Sequence, residues 1–193
     1  MILTDQKIYN GDLIHSRFAY KFFRKKVLPI GNIVAFRAPM EVTINLIDLE
    51  DSLSQDYIYS DDAINFCWEI PNLCPLGAVA FQRLLNTQIA NILSQKYIKK
   101  PIEVDGDDLI VHAEHTQGGI VQSKGKSSVS ITVSKNNVAL GHTGINIVAG
   151  KKAPAFAYST NLTTEQAELF MKDVIEMFYE LADDLFVATT KVI

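Results

Sequence analysis

Apolar positions divide the chain into helix-like and strand-like stretches. Between residues 11 and 26, Leu13, Ile14, Phe18, Phe22 and Phe23 fall near one face, and Arg24, Lys25 and Lys26 close the stretch. That pattern predicts a helix whose C-terminal cations suit its dipole. Gly31 opens a strand over residues 32–37, which Pro39 is expected to stop. The β-branched alternation of residues 42–47 predicts a second strand, after which the acidic run from Asp48 to Asp51 turns the chain outward. Residues 66–70 read as a strand ending at Pro71. Residues 76–97 give the clearest internal helix: Ala80, Leu84, Thr87, Ile89, Ile92 and Leu93 recur at helical spacing, and Pro75 stands near the N-terminus, where proline is tolerated.

From Pro101 to Gly150 the helical period disappears. Three strands are expected there, over residues 109–113, 127–134 and 138–147. Asn136 and Asn137 separate the last two, and asparagine tolerates the left-handed backbone of a tight hairpin, so these strands should be adjacent and antiparallel. A last helix is expected over residues 164–184, opened by the capping box of Thr163 and Gln166, with Phe170, Val174, Phe178 and Leu181 as its buried stripe. Strands and helices are mixed without strict alternation. This favours an α+β fold, a mixed and largely antiparallel central sheet with packed helices, over a doubly wound parallel one.

The composition fits one domain spanning residues 1–193: 48% of residues are hydrophobic and 21% charged. A net charge of -4 argues against a general nucleic-acid binder, which usually carries a basic face. Two cysteines, Cys67 and Cys74, make no disulfide framework. No uncharged apolar run reaches the ~18 residues of a membrane span, and the first residues lack the basic start and apolar stretch of a signal peptide. The expected setting is the cytoplasm, away from membranes.

Lys126 is the first candidate for chemistry. Beside Gly125 at a strand start, its ammonium could reach over the sheet to stabilise negative charge on a carboxylate, acyl phosphate or carbonyl oxygen. Residue type alone fits a surface lysine in a turn better, with Lys124 close by. Gly141 and Gly144 share one strand, which implies either close ligand approach or a bulge or tight packing. His142, between them, suits a general acid or base, although a hydrogen-bonded core histidine is the commoner case. In Asp105-Gly106-Asp107-Asp108 a polar turn explains most residues, and Asp108 is kept as a site candidate. His112 and His115 need not share a face, and no metal site is read from them. Cys67, between Phe66 and Trp68, reads as a buried thiol. Phosphate-binding glycine loops, a serine nucleophile elbow and zinc-spaced cysteines are absent from the sequence.

Two resemblances follow from these residues. Through residues 47–51, Gln82-Arg83-Leu84-Leu85, Gly106-Asp107-Asp108-Leu109, Gly125-Lys126-Ser127-Ser128-Val129-Ser130-Ile131 and Gly144-Ile145-Asn146-Ile147, nearly the whole chain resembles domain-of-unknown-function family 366. Over residues 76–147 it also resembles biotin and lipoate protein ligases, which share the class II aminoacyl-tRNA synthetase-like fold. There a helix is followed by an Asn-Asp-Leu strand start, matched here from Asp108-Leu109, then a lysine strand and a Gly-Ile-Asn strand. The resemblance implies that Lys126 faces an acyl carboxylate or its adenylate, that Gly125, Gly144 and Asn146 line the site with Asp108, and that His142 stands where octanoyl transferases carry a His-Gly strand. It also implies a small-molecule ligand, leaves ATP open as a cosubstrate, and implies a homodimer. The arginine-rich adenylate loop of biotin ligases has its nearest counterpart in Ala35-Phe36-Arg37-Ala38-Pro39, with Arg37 as its one ligand candidate. The Pro-Cys-Gly nucleophile of octanoyl transferases is replaced by Lys152-Ala153-Pro154-Ala155-Phe156. The expectation is a ligase- or acyltransferase-like protein centred on Lys126. The competing one is a binding or assembly module that kept the fold without the chemistry.

Overall fold

The computed structural model describes residues 1–4, 7–15, 30–43, 49–54 and 57–191. Most of the expected helix over residues 11–26 therefore lies outside the described residues, as do residues 44–47 of the expected second strand; Asp12–His15 form one 3-10 turn. In chain order the elements are β1 (Ile2–Leu3), β2 (Asn32–Val42), α1 (Leu49–Ser54), β3 (Ile58–Pro71), α2 (Pro75–Ile92), β4 (Ile102–Asp105), β5 (Asp108–Val111), β6 (His115–Gln117), β7 (Ile120–Gln122), β8 (Gly125–Lys126), β9 (Ser128–Lys135), β10 (Val138–Val148) and α3 (Thr164–Thr189). The main sheet runs β1-β2-β3-β10-β9, antiparallel except for β1 beside β2. A second sheet runs β4-β5-β8, and β6 and β7 form a separate hairpin.

Burial on both faces of the main sheet explains its long strands. On one face Ile64, Phe66 and Trp68 pack under α2 and α3 with Phe81, Leu85, Phe170, Val174 and Phe178. The ring edges meet as T-shaped pairs, Trp68 with Phe81 at 5.2 Å and Phe66 with Phe170 at 5.8 Å. On the other face Val34, Phe36, Met40, Ala63 and Cys67 pack with Tyr9 and Ile14. Cys67 is buried as expected, and burial pushes its thiol well above the usual range.

Two strand limits differ from the expectation. Pro39 does not stop β2; the ladder to β3 shifts register between Ala38 and Met40 and continues to Val42, so the proline occupies an irregularity where no ladder donor is needed. β3 begins at Ile58, well before residue 66, because polar Ser60 and Asn65 are buried with backbone partners: Ser60 Oγ donates to Asp62 and Val148 carbonyls, and Asn65 Nδ2 to that of Ala38. The hairpin and cap match the expectation. Asn136 and Asn137 have φ of 52° and 60° between β9 and β10. Thr163 Oγ1 accepts the Gln166 N–H at 3.2 Å while Gln166 Oε1 accepts that of Thr163 at 3.0 Å.

A buried polar cluster ties α2 to the sheet. Asn86 donates to Ser130 Oγ (3.1 Å) and the Asp107 carbonyl (3.0 Å) and accepts from Thr143 Oγ1 (2.9 Å); Gln82 also donates to Ser130 Oγ (2.9 Å). Asn86→Ala leaves several of these buried groups unpaired and is expected to lower stability by roughly 3 kcal/mol. Urea denaturation measures the loss, and a midpoint equal to wild type would remove the cluster from any stabilising role.

Candidate functional site

The site grows from a break in one strand. At Ser127 the chain leaves the second sheet to enter the main one. Its N–H and hydroxyl both donate to the Leu109 carbonyl, at 2.9 and 3.1 Å, while Ser128 Oγ accepts the Leu109 N–H at 2.9 Å. Lys126, just before the break, is clamped on its other side: its N–H donates to the Phe156 carbonyl and its carbonyl accepts the Tyr158 N–H, both at 2.8 Å. With the backbone fixed twice over, the side chain projects from a set origin. Lys126 Nζ meets Asp108 Oδ1 at 2.7 Å, and each side chain is about one-third exposed.

Lys126 lines a cleft of about 390 Å³, within the range of small-molecule sites. Its lining also includes Tyr57, Tyr59, Ser128, Asn146, Pro154 and Phe156. Tyr57 and Phe156 are each about half exposed. The Tyr57 hydroxyl donates to the Lys152 carbonyl at 2.7 Å, and Lys152 Nζ lies 4.9 Å from the Tyr59 ring centre. The Tyr59 hydroxyl donates to Asp61 Oδ1 at 2.7 Å, which holds that phenol above its ordinary pKa.

Asn146 is the unusual lining residue. It lies opposite the break at Ser127, to whose carbonyl it donates its N–H (2.9 Å), and the β10–β3 register shifts immediately after it, between Asn146 and Val148. Its own carbonyl accepts the N–H and hydroxyl of Thr160, at 3.0 and 2.7 Å. The side chain is almost fully buried, yet Oδ1 has no hydrogen-bond partner. That oxygen is closed off from solvent as well, so it is an internal feature of the fold beside the break at Ser127. The cleft therefore offers ammonium N–H groups from Lys126 beside aromatic and aliphatic side chains.

The structure brings Lys126, Asp108 and Asn146 together and sets the other sequence candidates apart. His142 is buried, stacked on Tyr9 with ring centres 3.7 Å apart, and its Nε2 is 2.9 Å from Asn65 Oδ1. Burial pushes its pKa down to about 3, which fits the hydrogen-bonded core histidine that was the commoner expectation. Arg37 lies in a different cleft, with Ile2, Leu3, Thr164 and Glu168. Its Nε donates to both oxygens of Asp62, at 3.0 Å each, and its Nη1 to Thr164 Oγ1 at 2.9 Å, so its donors serve the fold. A side chain at Gly144 would run into Met40, and one at Gly125 into the His115 ring. Internal packing accounts for both glycines in place of a ligand. The sequence reading does not single out Tyr57, Tyr59 or Phe156: Tyr57 and Phe156 lie in irregular segments, and only Tyr59 stands within a strand.

A largely antiparallel sheet backed by helices is the fold this chain shares with biotin/lipoate protein ligases. P. falciparum LipL1 in complex with lipoate superimposes with a TM-score of 0.56 at 12% identity, over 93% of this chain and 60% of that chain. Biotin protein ligase from Aquifex aeolicus in complex with biotin and ATP gives 0.55 at 10% identity, over 93% and 70%. At such identities the likeness establishes the fold. The chain itself belongs to the family Domain of unknown function (DUF366), whose profile matches residues 1–193. A protein of unknown function from Pyrococcus horikoshi superimposes over 100% of this chain and 97% of its own, with a TM-score of 0.82 at 22% identity. No curated protein sequence matches this chain. Among the described residues no helix is long and apolar enough to cross a membrane.

Proposed function

We propose that the chain binds a small carboxylate, acyl or nucleotide compound in the cleft around Lys126, and that the Lys126 ammonium holds the oxygen of that compound on which negative charge rests or develops. The observation that carries this reading is Lys126, which lines the cleft and pairs with Asp108 at 2.7 Å. Asp108 occupies one ammonium N–H and aims the side chain; the remaining N–H groups serve a ligand oxygen. A fixed cation of this kind lowers the energy of acyl and phosphoryl transition states because it needs no reorganisation as charge builds. The fold supports the same reading, since proteins of this architecture are described with lipoate, biotin and ATP.

A second reading is a binding or assembly module without turnover. It is favoured by the cleft lining, which contains neither arginine nor cysteine among the described residues, and by the engagement of Arg37 with Asp62 elsewhere. One experiment separates the two. The protein is incubated with ATP and, in turn, biotin, lipoate and octanoate, with pyrophosphate release and calorimetric binding measured together. Catalysis is expected to appear as pyrophosphate release that Lys126→Ala abolishes, with ligand affinity reduced at least about tenfold. Binding without pyrophosphate supports the module. Unchanged affinity in Lys126→Ala removes the cleft from consideration.

A further inference from the structure

We infer that the β6–β7 hairpin of one copy of this chain docks into the apolar groove beside the last turns of α3 on a second copy. The inference is independent of any ligand in the cleft. Residues 115–164 contain five lysines and no aspartate, glutamate or arginine, although the whole chain carries 22 acidic residues against 18 basic ones. The hairpin stands in this acid-free stretch. Ile120 and Val121 are both more than half exposed, and successive strand residues face opposite sides, so this end of the hairpin projects from the body of the protein. Gln117, the cross-strand partner of Ile120, donates from its side-chain amide to the Gly150 carbonyl, which sets Lys151 and Lys152 beside the hairpin. Lys124 follows shortly after β7, and among the described residues neither Lys124 nor Lys151 is in an ion pair. The result is an apolar tip on a cationic base.

α3 has the opposite character. Over Thr164–Thr189 it carries seven acidic residues and one lysine. Beside its last turns lies a groove of about 270 Å³ lined by Ile70, Leu73, Phe81, Ala182, Leu185 and Phe186. The polar residues that also line it are engaged within the chain: Asn72 Oδ1 accepts from Asn137 Nδ2 at 2.9 Å, and the Thr189 hydroxyl donates to the Phe186 carbonyl at 2.7 Å. Glu180, Asp183 and Asp184 are exposed on the same turns, and among the described residues none of them is in an ion pair. An apolar groove on an acidic helix thus matches an apolar tip set among lysines. Charge pairs at a rim add little affinity one by one; they select orientation and partner, while burial of the apolar centre drives the contact. Because the two surfaces differ, the contact joins copies head to tail, closing a ring or extending a chain.

Sedimentation equilibrium on the full chain is the test. At up to about 1 mM protein, which populates even a millimolar contact, the weight-average mass is expected to exceed that of one chain and to fall toward it as salt rises from about 50 to about 500 mM. Two charge-reversed variants are compared, Lys124→Glu with Lys151→Glu on the hairpin side, and Asp183→Lys with Asp184→Lys on the helix side. Each alone is expected to associate at least about tenfold more weakly. Their equimolar mixture is expected to recover association, since the hairpin of each then meets a helix of opposite charge on the other. Ile120→Ser leaves the charge unchanged and is expected to weaken association as well. All five positions are exposed, so each variant is expected to keep the circular dichroism spectrum of the wild type. A single chain at every concentration, association indifferent to salt, or a mixture no more associated than its two components overturns the inference.

Discussion

Gly141→Ala is expected to destabilise the protein by about 3 kcal/mol or more, the largest loss from any single methyl group considered. A Cβ at this position would overlap ring atoms Cε2 and Cζ2 of Trp68. Neither partner has room to yield. Trp68 is fully buried against Phe81, and Gly141 is held in the middle of the sheet, opposite Trp68 on β3 and Thr132 on β9. Urea denaturation followed by tryptophan fluorescence reports both the midpoint and the ring, because Trp68 is the only tryptophan. Gly119→Ala is the control. It sits in the β6–β7 turn at φ 81° with open space around its added Cβ, so it carries only a backbone cost of about 1 kcal/mol. Comparable losses in the two variants would show that Gly141 is retained for backbone freedom and not for the indole.

That contrast shows how much the sequence could say. Two glycines in one strand signal that something approaches closely, and here it is Trp68 and Met40 from within the protein. Composition cannot tell an internal neighbour from a ligand, since both need the same missing Cβ. The helices, the Asn136-Asn137 hairpin and the Thr163 cap were legible because each depends on local periodicity or turn chemistry. The first half of β3 was not. Its Ser60 and Asn65 look like loop residues until the sheet supplies carbonyls for them. At the site, Lys126, Asp108 and Asn146 were legible as residues of the right type on adjoining strands, and the family resemblance placed them together. Arg37 and His142 were drawn in by the same resemblance, yet their partners, Asp62 and Asn65, come from β3 and are visible only after folding. Tyr57 and Phe156 reach the cleft from irregular segments with no period to read.

Acidification is expected to destabilise the protein through His142. Asn65 Nδ2 donates to the Ala38 carbonyl, so its Oδ1 accepts from His142 Nε2–H, and the imidazole is neutral in the folded state. Stacking on Tyr9 at 3.7 Å leaves no room for the water that a charged ring would need. Its pKa is about 3 when folded and near 6.5 when unfolded, so between these values the unfolded chain binds a proton that the native chain refuses. Stability contributed by the neutral ring is complete above pH 6.5. It falls as pH drops, by ~1.4 kcal/mol per pH unit, or roughly 3 kcal/mol by pH 4. Carboxylates titrate in the same range, so the informative quantity is the difference from His142→Phe, which keeps an aromatic ring beside Tyr9 but takes up no proton. The variant is expected to be less stable at neutral pH, having lost the bond to Asn65, and to show a shallower acid slope. Parallel slopes in the two proteins would mean that His142 is charged in the native state, in which case the packing described for this face of the sheet is wrong and the ring is again available for proton transfer.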